Sequence, residues 1–335
     1  MGSPGLVGTC SLAAYKPVLK VELDIGPPLV SAHSMLIDTL LGDIPRSTFL
    51  QEHYQKQPLA KPATAAHLRE LATWATVDRL VEMTSCDLLL VRDGKLWPGA
   101  RPKTAAEARA LFKEGYSLAL RNPDRYDAGL AELGRTLSAE LQGTVNLQVY
   151  CTPAGHGSFG WHCDPEEVFI FQTSGAKRYL LRQNTLNPTP LHETLKDEMN
   201  PSRERTPIQE CRLEAGDWLY IPGGFWHEVT APEQEAISIS VGLMPPTGID
   251  VLDYVRTHLL RSPAWQKRLP MLGHASPLSD PEKMEAYRAL FQELGGELKR
   301  MLDDPRFVLR FMAAAATAGL RSSVLLEGPS RDPEK

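Results

Sequence analysis

From Val145 to Leu243 the chain is a succession of short apolar or alternating runs, each halted by Gly or Pro, and this texture points to a β-rich core. VNLQVY, EVFIFQ, KRYLLRQ, DWLYIP and AISISVGL all have strand length. In the last, Ile237, Ile239 and Val241 alternate with Ser238 and Ser240, the period of two expected of a half-buried strand. On both sides the spacing turns helical. Ser34 to Leu59 reads as short helices, with a turn over Asp43–Ser47 and Ser47 as N-cap of the helix bearing Phe49, Leu50 and Tyr54. Residues 64–84, 104–122 and 127–142 carry helical spacing, and DLLLVRDGKLWPG predicts two strands about an Asp93-Gly94 turn. After Pro246, GIDVLDYVRTHLL, 281–303 and 305–319 read as helices. The fold class expected is α+β with a mainly β core, flanked by helices at both ends.

Composition narrows the function classes. With 335 residues, 42% hydrophobic and 23% charged, the chain can bury a full core and is not wholly disordered. Thirty-six basic against 41 acidic residues give a net charge of −5, which argues against direct nucleic-acid binding. The five cysteines, Cys10, Cys86, Cys151, Cys163 and Cys211, form no C-x-x-C pair, so neither a zinc ribbon nor a thioredoxin motif is expected. Their odd, scattered set suits a reducing compartment. The start lacks the basic and apolar regions of a signal peptide, and no run of about 18 apolar residues exists to cross a membrane. A cytoplasmic protein is expected. No internal repeat is present.

The chemistry concentrates in GSFGWHCDPEEVFIFQTSGAKRYLL. His162 and Asp164 lie two apart, and on a strand such residues share a face. A third ligand candidate comes from GDWLYIPGGFWHEV, where Pro222-Gly223-Gly224 turns the chain and His227 follows. Two imidazoles and one carboxylate make a facial triad that suits non-heme Fe(II) and leaves three positions open for a cosubstrate and oxygen. Ser174-Gly175 can serve as a two-residue hairpin turn that sets Gln172 opposite Lys177, both on the triad's face. A cation inside a barrel needs an anionic partner, and the far carboxylate of 2-oxoglutarate would be one.

These motifs together resemble the JmjC family of Fe(II)- and 2-oxoglutarate-dependent oxygenases, in its cupin-4 or ribosomal-oxygenase-like branch. The resemblance rests on Tyr150, Thr152, Pro153, Gly155, the HCD triplet, Glu167, Phe169, Gln172, Gly175 and Lys177. It continues through Gly216-Asp217, Tyr220-Ile221-Pro222, His227 and the closing SVGL, and LLGDIPRSTFLQEHYQKQPL is similar to the opening segment of that branch. It covers about residues 35–247. It implies a double-stranded β-helix (jelly roll), with core at about 145–245 in a domain over 34–247, a helical region over 248–325, a loose arm over 1–33 and a frayed tail over 326–335. In such enzymes a basic residue fifteen positions after the first histidine binds the 2-oxoglutarate tail, and Lys177 stands there. The activity implied is hydroxylation of a C–H bond with succinate and CO2 as coproducts. Asp164 fills the carboxylate position that a halogenase would leave free for halide.

The expected ligands are therefore His162, Asp164 and His227, with Lys177, Tyr150 and Gln172 as cosubstrate contacts. The Tyr150 hydroxyl either packs or reaches the cosubstrate. Glu166 and Glu167 read as solvated, with Glu167 alternatively a hydrogen-bond partner behind the ligands, Cys163 should point away from them, and His156 reads as a loop residue. Trp161 stands where the family resemblance implies a small residue or proline, and Trp161 and Trp226 read as pocket walls. The remaining histidines read as structural. Expected substrates are a protein or peptide side chain, or an amino-acid-like small molecule. The C-terminal helices read as core or as a homodimer face. Two other readings are open: a cupin-type metalloenzyme that uses no 2-oxoglutarate (an isomerase or direct dioxygenase), and a non-catalytic barrel that binds.

Overall fold

The computed structural model describes residues 35–191, 200–269 and 281–316. The expected arm over 1–33, the frayed tail, His33, His192, His274 and Cys10 lie outside the described residues. Two antiparallel sheets form the centre. Strands are β1 Leu59–Lys61, β2 Asp87–Arg92, β3 Lys95–Leu96, β4 Ser117–Arg121, β5 Thr144–Thr152 and β6 His156–Gly157, then β7 Glu167–Ser174, β8 Ala176–Arg182, β9 Gln209–Glu214, β10 Trp218–Ile221, β11 Trp226–Ala231 and β12 Ala236–Met244. The larger sheet runs β1-β10-β7-β12-β5-β4-β2-β3, and the smaller runs β6-β11-β8-β9. Val168 and Ile170 of β7, Tyr179 and Leu181 of β8, Leu213 of β9, and Leu219 and Ile221 of β10 are buried together and close one sheet over the other. This is the jelly-roll sandwich.

The other face of the larger sheet is covered by helices. They are α1 Leu36–Leu41, α2 Arg46–Thr48 running into a π-turn over Phe49–His53, α3 Trp74–Glu82, α4 Ala105–Lys113 and α5 Ala128–Leu141. Their starts follow local chemistry: a Thr104–Glu107 capping box opens α4, and the Asp127 carboxylate accepts the Leu130 N–H to open α5. Leu130, Leu133 and Leu137 then face Leu147 and Val149 of β5 within one large apolar core. After β12, α6 Gly248–Leu259, α7 Pro281–Asp303 and α8 Pro305–Ala316 pack on a separate small cluster of Val255, Leu259 and Phe307. No helix of the described residues is long and apolar enough to cross a membrane.

Three local expectations change, and one strand is added. The spacing over 104–122 is helical only to Lys113. Gly115, at φ +95°, turns the chain, and SLALR becomes the buried strand β4. Ser47 lies inside its helix, which starts at Arg46 behind Pro45. β9, whose text QECRLE is polar, escapes a hydrophobic reading because it is an exposed edge strand. The Ser174-Gly175 turn joins no hairpin. β7 pairs with β10 and β12 while β8 pairs with β11 and β9, so the chain crosses from one sheet to the other at Gly175.

Gly175 sits at φ +65°, and a Cβ there would lie 2.1 Å from the Glu235 carbonyl oxygen. Backbone strain and steric clash thus coincide. Gly175→Ala is expected to cost about 3 kcal/mol or more in urea unfolding. Gly155→Ala, at φ +78° with nothing within 4 Å, is the control and should cost only about 1 kcal/mol.

Candidate metal centre

His162 and His227 are joined before their side chains meet. The two residues form an isolated antiparallel bridge, with His162 N–H donating to the His227 carbonyl at 3.0 Å and His227 N–H to the His162 carbonyl at 2.7 Å. The strand expected to carry both His162 and Asp164 is thus reduced to one bridge residue, and β7 begins only at Glu167. Pro222-Gly223-Gly224-Phe225 forms a turn closed by Phe225 N–H to the Pro222 carbonyl, with Gly224 at φ +83°. Gly224 N–H then donates to the Asp164 carbonyl at 2.7 Å. Backbone bonds therefore stitch the two sequence segments, 65 positions apart, into one unit.

The side chains converge on the same point. One ligand atom from each of His162, Asp164 and His227 lies within 4.8 Å of the others. His227 Nε2 is 3.5 Å from Asp164 Oδ2, and His162 Nε2 is 4.0 Å from it. Each ring is oriented from behind: His162 Nδ1 meets the Gly160 carbonyl at 2.8 Å, and His227 Nδ1 meets the Phe225 carbonyl at 3.1 Å. A carbonyl only accepts, so Nδ1 carries the proton in both rings and Nε2 turns its lone pair inward. Burial, aided by the neighbouring His162, pushes the His227 imidazolium down to about 4, against the pull of Asp164. His227 is therefore neutral near pH 7. Side-chain exposure rises from 7% at His227 through 23% at His162 to 37% at Asp164, so the cluster is closed on one side and open on the other. Two inward imidazoles and one carboxylate are a donor set that fits a divalent transition metal.

Lys177 lies on the inner face of β8, 2% exposed. Its ammonium donates to Ser238 Oγ at 2.9 Å and to the Tyr150 carbonyl at 3.4 Å, and it stands 5.8 Å from the Tyr150 ring centroid. No carboxylate of the described residues pairs with it. Burial pushes it down to about 8. A buried ammonium held only by neutral oxygens can receive an anion's carboxylate.

The other expected contacts divide. Tyr150 donates its hydroxyl to Gln148 Oε1, with Phe159 edge-on to its ring at 6.2 Å and edge-on to His162 at 6.0 Å. Burial, with Asp164 and Glu166 nearby, raises the Tyr150 phenol, which stays neutral. Gln172 does not oppose Lys177. Its amide nitrogen donates to the Ser174 and Ile237 carbonyls, beside a bulge where β12 shifts register at Ile237/Ser238. Its Oε1 has no hydrogen-bond partner among the described residues. Cys163 does point away, toward Asn184. His156 belongs to β6, stands against Gly115 and is outside the triad. Ser238 was the residue missed: the alternation of AISISVGL assigned its serines to solvent, yet Ser238 is 1% exposed and faces Lys177.

Residues 123–251 match the family model of the JmjC domain. Over 125 residues the chain is 36% identical to the bifunctional lysine-specific demethylase and histidyl-hydroxylase NO66 of Dictyostelium discoideum, covering 36% of this chain and 24% of that protein. It is 29% identical to ribosomal oxygenase 2 of Bos taurus over 244 residues, 67% of this chain and 51% of that one. The chain thus spans about a quarter to a half of the length of these relatives. Among solved structures, it is similar in fold to the ribosomal oxygenase YcfD of Escherichia coli in complex with cobalt and 2-oxoglutarate. That likeness has a TM-score of 0.56 at 22% identity, covering 82% of this chain and 71% of that one.

The lysine's burial has a pH signature. Its folded value lies near 8 and its ordinary value at 10.5, so between these the unfolded chain binds more protons and stability rises with pH. In anion-free protein, wild type minus Lys177→Met should show this rise in unfolding free energy. A flat difference would place the ammonium in solvent.

Proposed function

Taking the JmjC domain of residues 123–251 as premise, we propose that this chain is an Fe(II)- and 2-oxoglutarate-dependent oxygenase that hydroxylates a C–H bond of a protein side chain. The observation that carries the reading is the pairing of two features on one face of the smaller sheet, where His227 stands opposite Leu181 and Lys177 shares that face of β8: three inward ligand atoms, and a buried ammonium with no carboxylate of the described residues for partner. The donor set suits Fe(II), and Lys177 suits the far carboxylate of 2-oxoglutarate. When bound, iron and 2-oxoglutarate would supply the oxidising chemistry with dioxygen as oxidant: one oxygen atom goes to the succinate formed as the cosubstrate loses CO2, and the other enters the substrate C–H bond.

The chain's own groups prepare the site for that work. His162 and His227 would be held by their Nδ1–H bonds in the tautomer that ligates, without rotation or proton loss on loading. Asp164 would bring the one negative charge. Lys177 and Ser238 would fix the cosubstrate's remote end, and Tyr150, neutral and committed to Gln148, would shape the wall between them. Phe159, 38% exposed and edge-on to His162, would meet the substrate at the open side. A protein substrate is supported by the names of the relatives, histidyl-hydroxylase and ribosomal oxygenase.

We also read the C-terminal helices as a homodimer face. Phe291 of α7 and Leu309 and Met312 of α8 are 61%, 64% and 56% exposed, large apolar side chains that water disfavours. Sedimentation should give a dimer for the wild type, and a monomer for Phe291→Glu with Leu309→Glu; a monomeric wild type overturns this part.

The test of the activity is an anaerobic titration with Fe(II) and 2-oxoglutarate, followed by the visible metal-to-ligand charge-transfer band. The band should appear in the wild type and vanish in His227→Ala. Lys177→Ala should weaken 2-oxoglutarate binding roughly 30- to 100-fold, the equivalent of about 2–3 kcal/mol for one half of a buried ion pair. Iron binding without the band would favour a cupin-type enzyme that uses no 2-oxoglutarate.

A further inference from the structure

Behind the triad lies a line of polar atoms that the proposed chemistry does not use. Glu167, the first residue of β7, is 6% exposed, and its carboxylate accepts the hydroxyl of Tyr220 from β10. The same hydroxyl accepts the N–H of Gln55 at 2.7 Å. Burial raises the carboxyl, while the Tyr220 hydroxyl and the nearby backbone N–H groups of Gly223 and Gln55 favour its charged form. Gln55 sits at φ +61°, a left-handed backbone that costs a non-glycine residue about 1 kcal/mol. It leaves the π-turn of Phe49–His53, whose Phe49 ring packs edge-on to Tyr220 at 5.3 Å.

A carboxylate is a costly way to fill buried space, because its desolvation must be offset by several hydrogen bonds. What these bonds hold is the turn that delivers His227. A Cβ on Gly223 would meet the Pro165 carbonyl at 2.8 Å and Glu167 Oε1 at 3.3 Å, so the turn lies flat against residues 165–167. From that turn, Gly224 binds the Asp164 carbonyl at 2.7 Å, and the Phe225 carbonyl receives His227 Nδ1 at 3.1 Å. Both contacts orient triad residues, and both depend on where the turn sits.

We propose that Glu167 is a positioning residue, which acts through Gly223 to hold the Pro222–Phe225 turn so that Asp164 and His227 stand at metal-binding distance, and which ties that turn through Tyr220 to residues 49–55. The inference rests on reading the triad as a metal centre. Removing the carboxylate leaves all three ligands in place and lets the turn drift. Replacing it with glutamine keeps an oxygen that can accept from Tyr220 and lie against Gly223.

The test is titration with Co(II) alone, read by its d–d absorption, beside the melting temperature of each metal-free protein. The wild type should bind, and His227→Ala should not. Glu167→Ala should bind 10- to 100-fold more weakly, on the order of the loss seen when groups that orient ligands are removed. Glu167→Gln should stay within about three-fold of wild type, and Tyr220→Phe should fall between. Leu80→Ala, a buried change in α3, serves as a destabilised control and should keep its affinity despite a lowered melting temperature. Should Glu167→Ala fail to fold, Tyr220→Phe decides by the same measurement. Wild-type affinity in Glu167→Ala, or equal losses in it and Leu80→Ala, overturns the positioning role. A wild type that binds no cobalt, or a His227→Ala that binds as tightly, overturns the metal centre itself, and the inference falls with it.

Discussion

The two-way backbone bridge between His162 and His227 is the contact on which the candidate site hangs, because neither residue's side chain could be placed without it. Each N–H donates to the other's carbonyl, which fixes the separation and direction of the two Cα–Cβ bonds before any rotamer is chosen. The ring nitrogens then have one carbonyl each to satisfy, and that choice leaves their other nitrogen facing inward. Asp164 joins through its own backbone carbonyl, bound by Gly224. A metal-type donor set thus arises from main-chain bonds that any sequence could make, provided glycine stands at 223 and 224. Gly223 is required by close approach and Gly224 by its positive φ.

The fold was legible where patterning is local. Five strands of the β centre, the Asp93-Gly94 hairpin and the helix over 127–142 all follow from apolar spacing and turn chemistry. The triad was legible too, because HxD and a later histidine after a glycine turn are sparse signals with a chemical meaning. What could not be read locally was sheet membership. Residues 174–176 look like any tight hairpin turn, and only the tertiary structure sends β7 and β8 to different sheets. Lys177 still faces inward, but as a residue of the opposite sheet, which is why the expected partnership with Gln172 dissolved and Ser238 took its place.

Ser238 illustrates the second limit of periodicity. An alternating strand is ordinarily polar toward water. β12, however, lies between β5 and β7 in mid-sheet, and its serine face lines the enclosed side of the sandwich. Polar residues at period two mark a polar environment, and a pocket is as good a one as solvent. The helix predicted over 104–122 failed for a different reason: Leu118, Ala119 and Leu120 are apolar in succession, and they form a strand buried from Ser117 to Leu120 once Gly115 breaks the helix.

The gradient of exposure across the triad, lowest at His227 and highest at Asp164, also sets the direction of traffic. On the reading of these residues as ligands, Asp164 would be the first ligand that a cation from solution could reach, at the side where its water can leave. The imidazoles complete the shell later, from the dry side. Departure runs the same course in reverse, through the one ligand that solvent touches. On that reading a chelator would strip the ion from the folded protein, and loading afterwards would be a matter of solution supply rather than of refolding.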